Sequence, residues 1–153
     1  MADLVAGGAG FIGSHLCQRL IDDGRAVICV DNFRTGRRAN VEHLLSSPRF
    51  ALLELDLIAG APEVEAERIY HLASPASPPG YTRFPIETMR VNSEGTRHLL
   101  ELAARTGARF LYASTSEAYG DPLEHPSARS IGETLALRAR ARCTTRRSVS
   151  ERR

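Results

Sequence analysis

Three glycines, Gly7, Gly10 and Gly13, stand three residues apart near the start of the chain, and an aspartate, Asp31, follows eighteen residues after the last of them. A diphosphate is gripped by backbone that turns tightly, admits the ligand without a Cβ in the way and aims free N–H groups at it. Glycine at a strand-to-helix turn meets all three needs. A carboxylate at the end of the following strand can accept hydrogen bonds from adenosine ribose hydroxyls. The chemistry indicated is capture of a dinucleotide, with Gly7, Gly10, Phe11, Ile12 and Gly13 around the phosphates and Asp31, Asn32 and Gly36 at the ribose side. Asp31 would repel a 2′-phosphate, which favours NAD over NADP. Arg34, Arg37 and Arg38 pull the other way, because a nearby guanidinium can accommodate that phosphate.

Those residues need elements to hold them. Leu4-Val5-Ala6 is a short apolar run stopped by glycines, and Ser14 to Asp22 places Leu16, Leu20 and Ile21 at helical spacing, closed by Gly24. Val27 to Val30 is continuously apolar, as in a parallel strand buried on both faces, and Asp31 ends it. Asn40 stands where it would cap a short helix carrying Val41, Leu44 and Leu45. Phe50 to Leu55, Ile69 to Ala73 and Arg109 to Ala113 read as further strands. Ile86 to Arg105 reads as one long helix with Met89, Leu99, Leu100, Leu102 and Ala103 as its apolar positions, ended by Gly107. Between them, the prolines and glycine of 74–80 predict an irregular loop at a strand's carboxyl end, where ligands of open sheets lie. Strands alternating with helices predict a three-layer α/β sandwich on a parallel sheet of about five strands.

Bulk properties narrow the rest. A chain of 153 residues holds one ordinary domain, and 42% hydrophobic with 25% charged residues is a globular balance that argues against disorder or fibres. Cys17, Cys29 and Cys143 are odd in number and lack metal-ligand spacing, so neither a disulfide framework nor a metal site is expected. No apolar run approaches the roughly 18 residues of a membrane span, and no signal-type stretch opens the chain, so a soluble, cytoplasmic protein is expected.

With these residues in place the chain resembles the extended short-chain dehydrogenases/reductases, the NAD-dependent epimerase/dehydratase family, and within it the UDP-glucuronate decarboxylase (UDP-xylose synthase) branch. The segments that carry the resemblance are VAGGAGFIGSHL at 5–16, VICVDNFRTGRR at 27–38, YHLASPASPP at 70–79 and ASTSEAYGDPLEHP at 113–126. It implies a Rossmann-type fold, NAD as cofactor, a UDP-sugar as substrate and a homodimer formed through helices such as that at Ile86 to Arg105. It also implies that Asp56, Leu57, Leu72 and Ala73 contact the cofactor and that Tyr81 contacts the sugar. Thr115 would hydrogen-bond the hydroxyl being oxidised, with Ser116 beside it and Glu117 assisting at the ring. The implied reaction is redox-neutral: oxidation at sugar C4, loss of the C6 carboxylate as carbon dioxide from the resulting β-keto acid, and return of the hydride to give UDP-xylose. A sibling nucleotide-sugar epimerase, a 4,6-dehydratase and a noncatalytic NAD-binding fragment are the alternatives. Each polar residue also has a plainer role available, Ser114 to Ser116 satisfying backbone at a strand end and Glu117 as a solvated charge.

The same chemistry requires a tyrosine to take the hydroxyl proton and a lysine four residues on to lower its pKa. This sequence contains no lysine and no tyrosine beyond Tyr119, so the Tyr-x-x-x-Lys pair is absent and little turnover is expected of the chain as it stands. We read residues 1–126 as an incomplete, truncated NAD-binding domain and residues 127–153 as an arginine-rich tail foreign to the family. Back-translating 130–153 and discarding two nucleotides permits a family-like continuation with the missing tyrosine and lysine, so a frame shift near 126–129 is the expected origin. The tail's eight arginines against Glu133 and Glu151 would attract phosphate nonspecifically. Without interleaved aromatics or a recognised fold they do not predict a nucleic-acid partner.

Overall fold

The computed structural model of the chain describes residues 1–115, and its first compact unit is Met1–Ala113. Five strands, β1 (Ala2–Ala6), β2 (Val27–Asp31), β3 (Phe50–Glu54), β4 (Ala66–His71) and β5 (Arg109–Tyr112), form one sheet in the order β3-β2-β1-β4-β5. Every pairing is parallel, with Val5 in register with Cys29 on one side and with Tyr70 on the other. The expected α/β sandwich on a parallel Rossmann-type sheet is therefore present. Strand order reverses between β1 and β4, which opens a crevice at the carboxyl ends of those strands.

Alternation along β1 explains its unbroken apolar sequence. Leu4 and Ala6 point to one face and pack with Ile69, Leu99 and Leu102; Val5 points to the other and packs with Cys17, Leu20, Val27 and Cys29. Helix α1 (Phe11–Asp22) covers the second face, burying Cys17 and Leu20, while Leu16 and Ile21, expected beside Leu20, lie only at its margin. At the opposite end of β1, Asp3 is wholly buried and accepts two hydrogen bonds from Arg25, whose Nη2 lies 2.8 Å from Asp3 Oδ1; the guanidinium also reaches Glu67 at 2.9 Å. That end of the sheet is thus closed by ionic and hydrogen-bonded contacts, away from the crevice.

The structure departs from the sequence reading in four places. The strand expected over Ile69 to Ala73 is β4 at Ala66–His71, which starts three residues earlier and ends before Leu72 and Ala73. The loop expected over 74–80 gives way to a helix, α2 (Pro78–Arg83), because proline is tolerated in a first helical turn, where no intrahelical N–H bond is lost. The single helix expected over 86–105 is α3 (Pro85–Arg90), one wide π-type turn (Val91–Gly95) and α4 (Thr96–Thr106). Thr88, Ser93 and Thr96 each return a hydroxyl bond to a carbonyl four residues back, and Gly95 brings the helix against Leu57; both features loosen the regular ladder there. Met89 and Leu100, expected in the core, are exposed. Asn40, finally, caps no helix: two short 3-10 turns flank Val41, and the Asn40 amide donates to the Ala9 carbonyl at 2.8 Å.

Among the described residues no helix is long and apolar enough to cross a membrane, and no three metal-ligating side chains converge.

Candidate dinucleotide site

The glycine turn is built by close approach. Gly7 has φ +78° and passes so near β4 that a Cβ there would lie 2.7 Å from the Ala73 nitrogen. Gly13, inside α1, lies over the Gly7 carbonyl and the Gly8 Cα. Backbone on backbone cannot give way, so these two positions accept only glycine. Gly10 caps α1 without offering a side chain, which leaves the first N–H groups of the helix, those of Phe11 and Ile12 included, free for an anion. Phe11 and Ile12 are 79% and 69% exposed and neither lines the crevice, which leaves their backbone N–H groups as what they offer a ligand there.

Asp31 ends β2 beside this turn. Its Oδ2 accepts the Ala9 N–H at 2.9 Å and its Oδ1 the Phe33 N–H at 2.8 Å, which fixes the carboxylate and leaves a lone pair on each oxygen. Burial pushes its pKa up, opposed by those backbone bonds. Gly36 lies directly above, where a Cβ would come within 2.8 Å of the carboxylate. The absent side chain at Gly36 is what keeps Asp31 reachable.

These groups line one open cleft together with Gly7, Gly10, Asn32, Asp56, Leu57, Leu72 and Ala73. Nine of the twelve residues expected to contact the cofactor meet there, while Gly13 lies beneath it. Asp56 is held by the Ile58 N–H at 3.0 Å, and Leu57 is buried with its carbonyl taken by His98. Sequence reasoning missed Thr35, Ser74, Val91 and Glu87 on the cleft wall. Ser74 belongs to the proline-rich loop already marked as ligand-facing; Glu87 arrives on α3 from far along the chain, and no local pattern points to it. Tyr81, the expected sugar contact, sits on α2 and is not part of this wall. Thr115 is exposed and lies beyond the first compact unit. Ser116 and Glu117, and the tail from residue 127, lie outside the described residues.

The arrangement fits a dinucleotide: a glycine cradle and open helix end for the pyrophosphate, an anchored carboxylate for ribose, and the half-buried Leu55 and Ile58 offering apolar surface for a base. A parallel sheet with a glycine turn, an acid after β2 and a cleft at the switch point defines a dinucleotide-binding protein of the Rossmann class. The chain matches the model of the NAD dependent epimerase/dehydratase family over residues 4–142, and it belongs to that family. It is 54% identical over 123 residues to UDP-glucuronic acid decarboxylase 1 of Arabidopsis thaliana and equally to that of Danio rerio. In both cases the match covers 80% of this chain, and it spans less than a third of the relative, 28% and 29% respectively. Among solved structures it resembles a UDP-galactose 4-epimerase (34% identity, TM-score 0.72, 85% of this chain and 43% of that one). It also resembles UDP-glucose 4-epimerase from Brucella ovis in complex with NAD (28%, TM-score 0.69, 84% and 40%).

Proposed function

We propose that the chain is the NAD-holding part of an enzyme that converts UDP-glucuronate to UDP-xylose, and that on its own it binds NAD without turning over substrate. The observation that carries the first half is the Asp31 carboxylate, locked by two backbone N–H groups under Gly36 and facing the same cleft as the glycine turn. Identity of 54% to decarboxylases, against 34% to the UDP-galactose 4-epimerase, favours decarboxylation over the epimerase alternative.

When bound, NAD supplies a reversible hydride acceptor for the sugar. The residues of this chain hold its phosphates at the amino end of α1, its ribose at Asp31 and its base near Asp56 and Leu57. On the substrate side, Thr115, Ser116 and Glu117 are proposed at the oxidised hydroxyl and Tyr81 at the sugar. No residue here supplies the proton acceptor, because the tyrosine–lysine pair is missing from the sequence. We assign 1–126 to the cofactor domain and 127–153 to a frame-shifted tail. A homodimer is part of the reading, supported by the exposed Ile86, Met89 and Leu100, as is a reducing, cytoplasmic setting, supported by the unpaired thiols of Cys17 and Cys29.

Calorimetric titration of the chain with NAD, followed by incubation with NAD and UDP-glucuronate, tests this directly. Expected are saturable binding and no UDP-xylose. A folded sample that gives no heat with NAD overturns the cofactor reading. For the substrate, the gene restored to the other frame is expected to yield UDP-xylose and carbon dioxide; a C4 epimer of the sugar instead would assign the sibling activity.

A further inference from the structure

Three arginines follow Asp31, and a guanidinium beside the adenosine ribose is the feature that admits NADP. The structure separates them. Arg38 pairs with Glu54 at 3.1 Å and lies over the Phe33 ring, and neither Arg37 nor Arg38 lines the cleft. Arg34 does line it, and it is held: Nη1 lies 3.2 Å from Glu87 Oε1, Nη2 lies 3.5 Å from Asp56 Oδ2, and Cζ sits 5.2 Å from the centre of the Phe84 ring. Glu87 comes from α3, on the far wall, so the pair spans the ribose end of the cleft. Among the described residues three carboxylates, Asp31, Asp56 and Glu87, line the cleft against the one guanidinium of Arg34.

We propose that Glu87 is a positioning residue for cofactor choice: together with Asp56 it neutralises Arg34 and holds it to the cleft wall, so that the 2′-hydroxyl of NAD is accepted and the 2′-phosphate of NADP refused. The proposal rests on the dinucleotide reading of the cleft. Its physical content is a competition. A 2′-phosphate carries close to two negative charges and would draw Arg34 by a charge-assisted, bidentate contact, but to do so it must displace Glu87 while sitting beside Asp31. Both ion pairs are about a third exposed, so each is individually weak. The hold is therefore one that a single substitution can release.

The test is the ratio of the NADP and NAD dissociation constants, measured by titration on the full chain at low and moderate salt. Glu87→Gln keeps the size of the side chain and removes its charge; it is expected to shift the ratio toward NADP about 2- to 5-fold, as expected for one charge contact near a partly exposed site. Glu87→Ala moves the ratio in the same direction, and the retained NAD affinity reports that both variants are folded. Adding Arg34→Leu to Glu87→Gln is expected to abolish the gain. A gain that survives the loss of Arg34 overturns the proposal, since simple relief of repulsion then accounts for it, and so does an unchanged ratio with NAD still bound. A wild-type chain that binds neither dinucleotide overturns the dinucleotide reading itself.

Discussion

Gly13 sits inside a helix, where glycine is the poorest residue apart from proline, so replacing it with alanine ought on helix propensity alone to stabilise the fold by about 1 kcal/mol. The structure predicts the reverse. An alanine Cβ at position 13 would lie 2.7 Å from the Gly8 Cα, closer still to the Gly7 carbonyl oxygen, where real Cβ contacts do not fall below 3.0 Å. Helix α1 must therefore retreat from the glycine turn by at least the missing 0.3 Å, and further to clear the carbonyl. The obstructing atoms are backbone, so no rotamer change relieves them. Overpacking of this kind costs about 1–3 kcal/mol, and a rigid obstacle places it at or above the upper end. Set against the propensity gain, the net loss is about 2 kcal/mol, or a melting point lower by roughly 5–10 °C for a unit of this size. Retreat of the helix also withdraws its first N–H groups from the pyrophosphate; losing one charge-assisted bond weakens NAD about 10- to 100-fold. Thermal melts by circular dichroism and NAD titration of Gly13→Ala measure both effects. Gly107→Ala is the control, because Gly107 has φ +71° with open space around it: it should lose about 1 kcal/mol to backbone strain and leave NAD untouched. A Gly13→Ala protein that melts at or above the wild-type temperature refutes the close-approach argument.

Arg25→Ala strands the wholly buried Asp3, and an unpartnered buried carboxylate costs about 3–5 kcal/mol, whereas Arg19→Ala, which breaks an exposed pair with Asp23, should change stability by less than about 0.5 kcal/mol; urea denaturation of the two variants separates them. His71 is buried with Nε2 on Thr96, and burial lowers its pKa from 6.5 to about 4. The unfolded chain therefore takes up this proton near pH 6.5 and the folded one only near pH 4, so its contribution to stability is complete above pH 6.5 and falls by about 3 kcal/mol as pH drops to 4. In His71→Gln the stability–pH profile should be flatter over that window, and an identical slope in the two proteins would refute the assignment.

What could be read from the residues was whatever is local. The turn at Gly7 to Gly13, the acid at Asp31 and the apolar strand cores depend on neighbours within a few positions, and the structure places them as expected. The helix at Pro78–Arg83 is hidden in the sequence because its prolines read as breakers, although proline is tolerated in a first helical turn. The π-type turn at Val91–Gly95 lies where Gly95 packs close to Leu57, a neighbour it meets only in the folded chain. Glu87 joined the cleft for a similar reason: its role exists only once the crossover from β4 lays α3 beside the loop after β2. Cys17, rather than Leu16 or Ile21, fills the space against Val5 because helical spacing leaves the burial angle undetermined to within a residue.

The order of the strands also explains how one cleft draws on residues from four separate strand ends. In a parallel sheet with helical crossovers, every strand delivers its carboxyl end to the same edge. The first supplies the glycine turn, the second Asp31, the third Asp56 and the fourth Leu72 and Ala73, so the cleft is already enclosed by residues that precede β5. The tyrosine–lysine pair that the proposed reaction would require is missing from the sequence. The cleft residues among those described all lie at or before Val91, so on the proposed reading NAD is held by the first four strand ends and the crossover that follows β4. On the proposed reading, turnover would need a tyrosine whose pKa a neighbouring lysine lowers, and charge at the ribose end does not substitute for that.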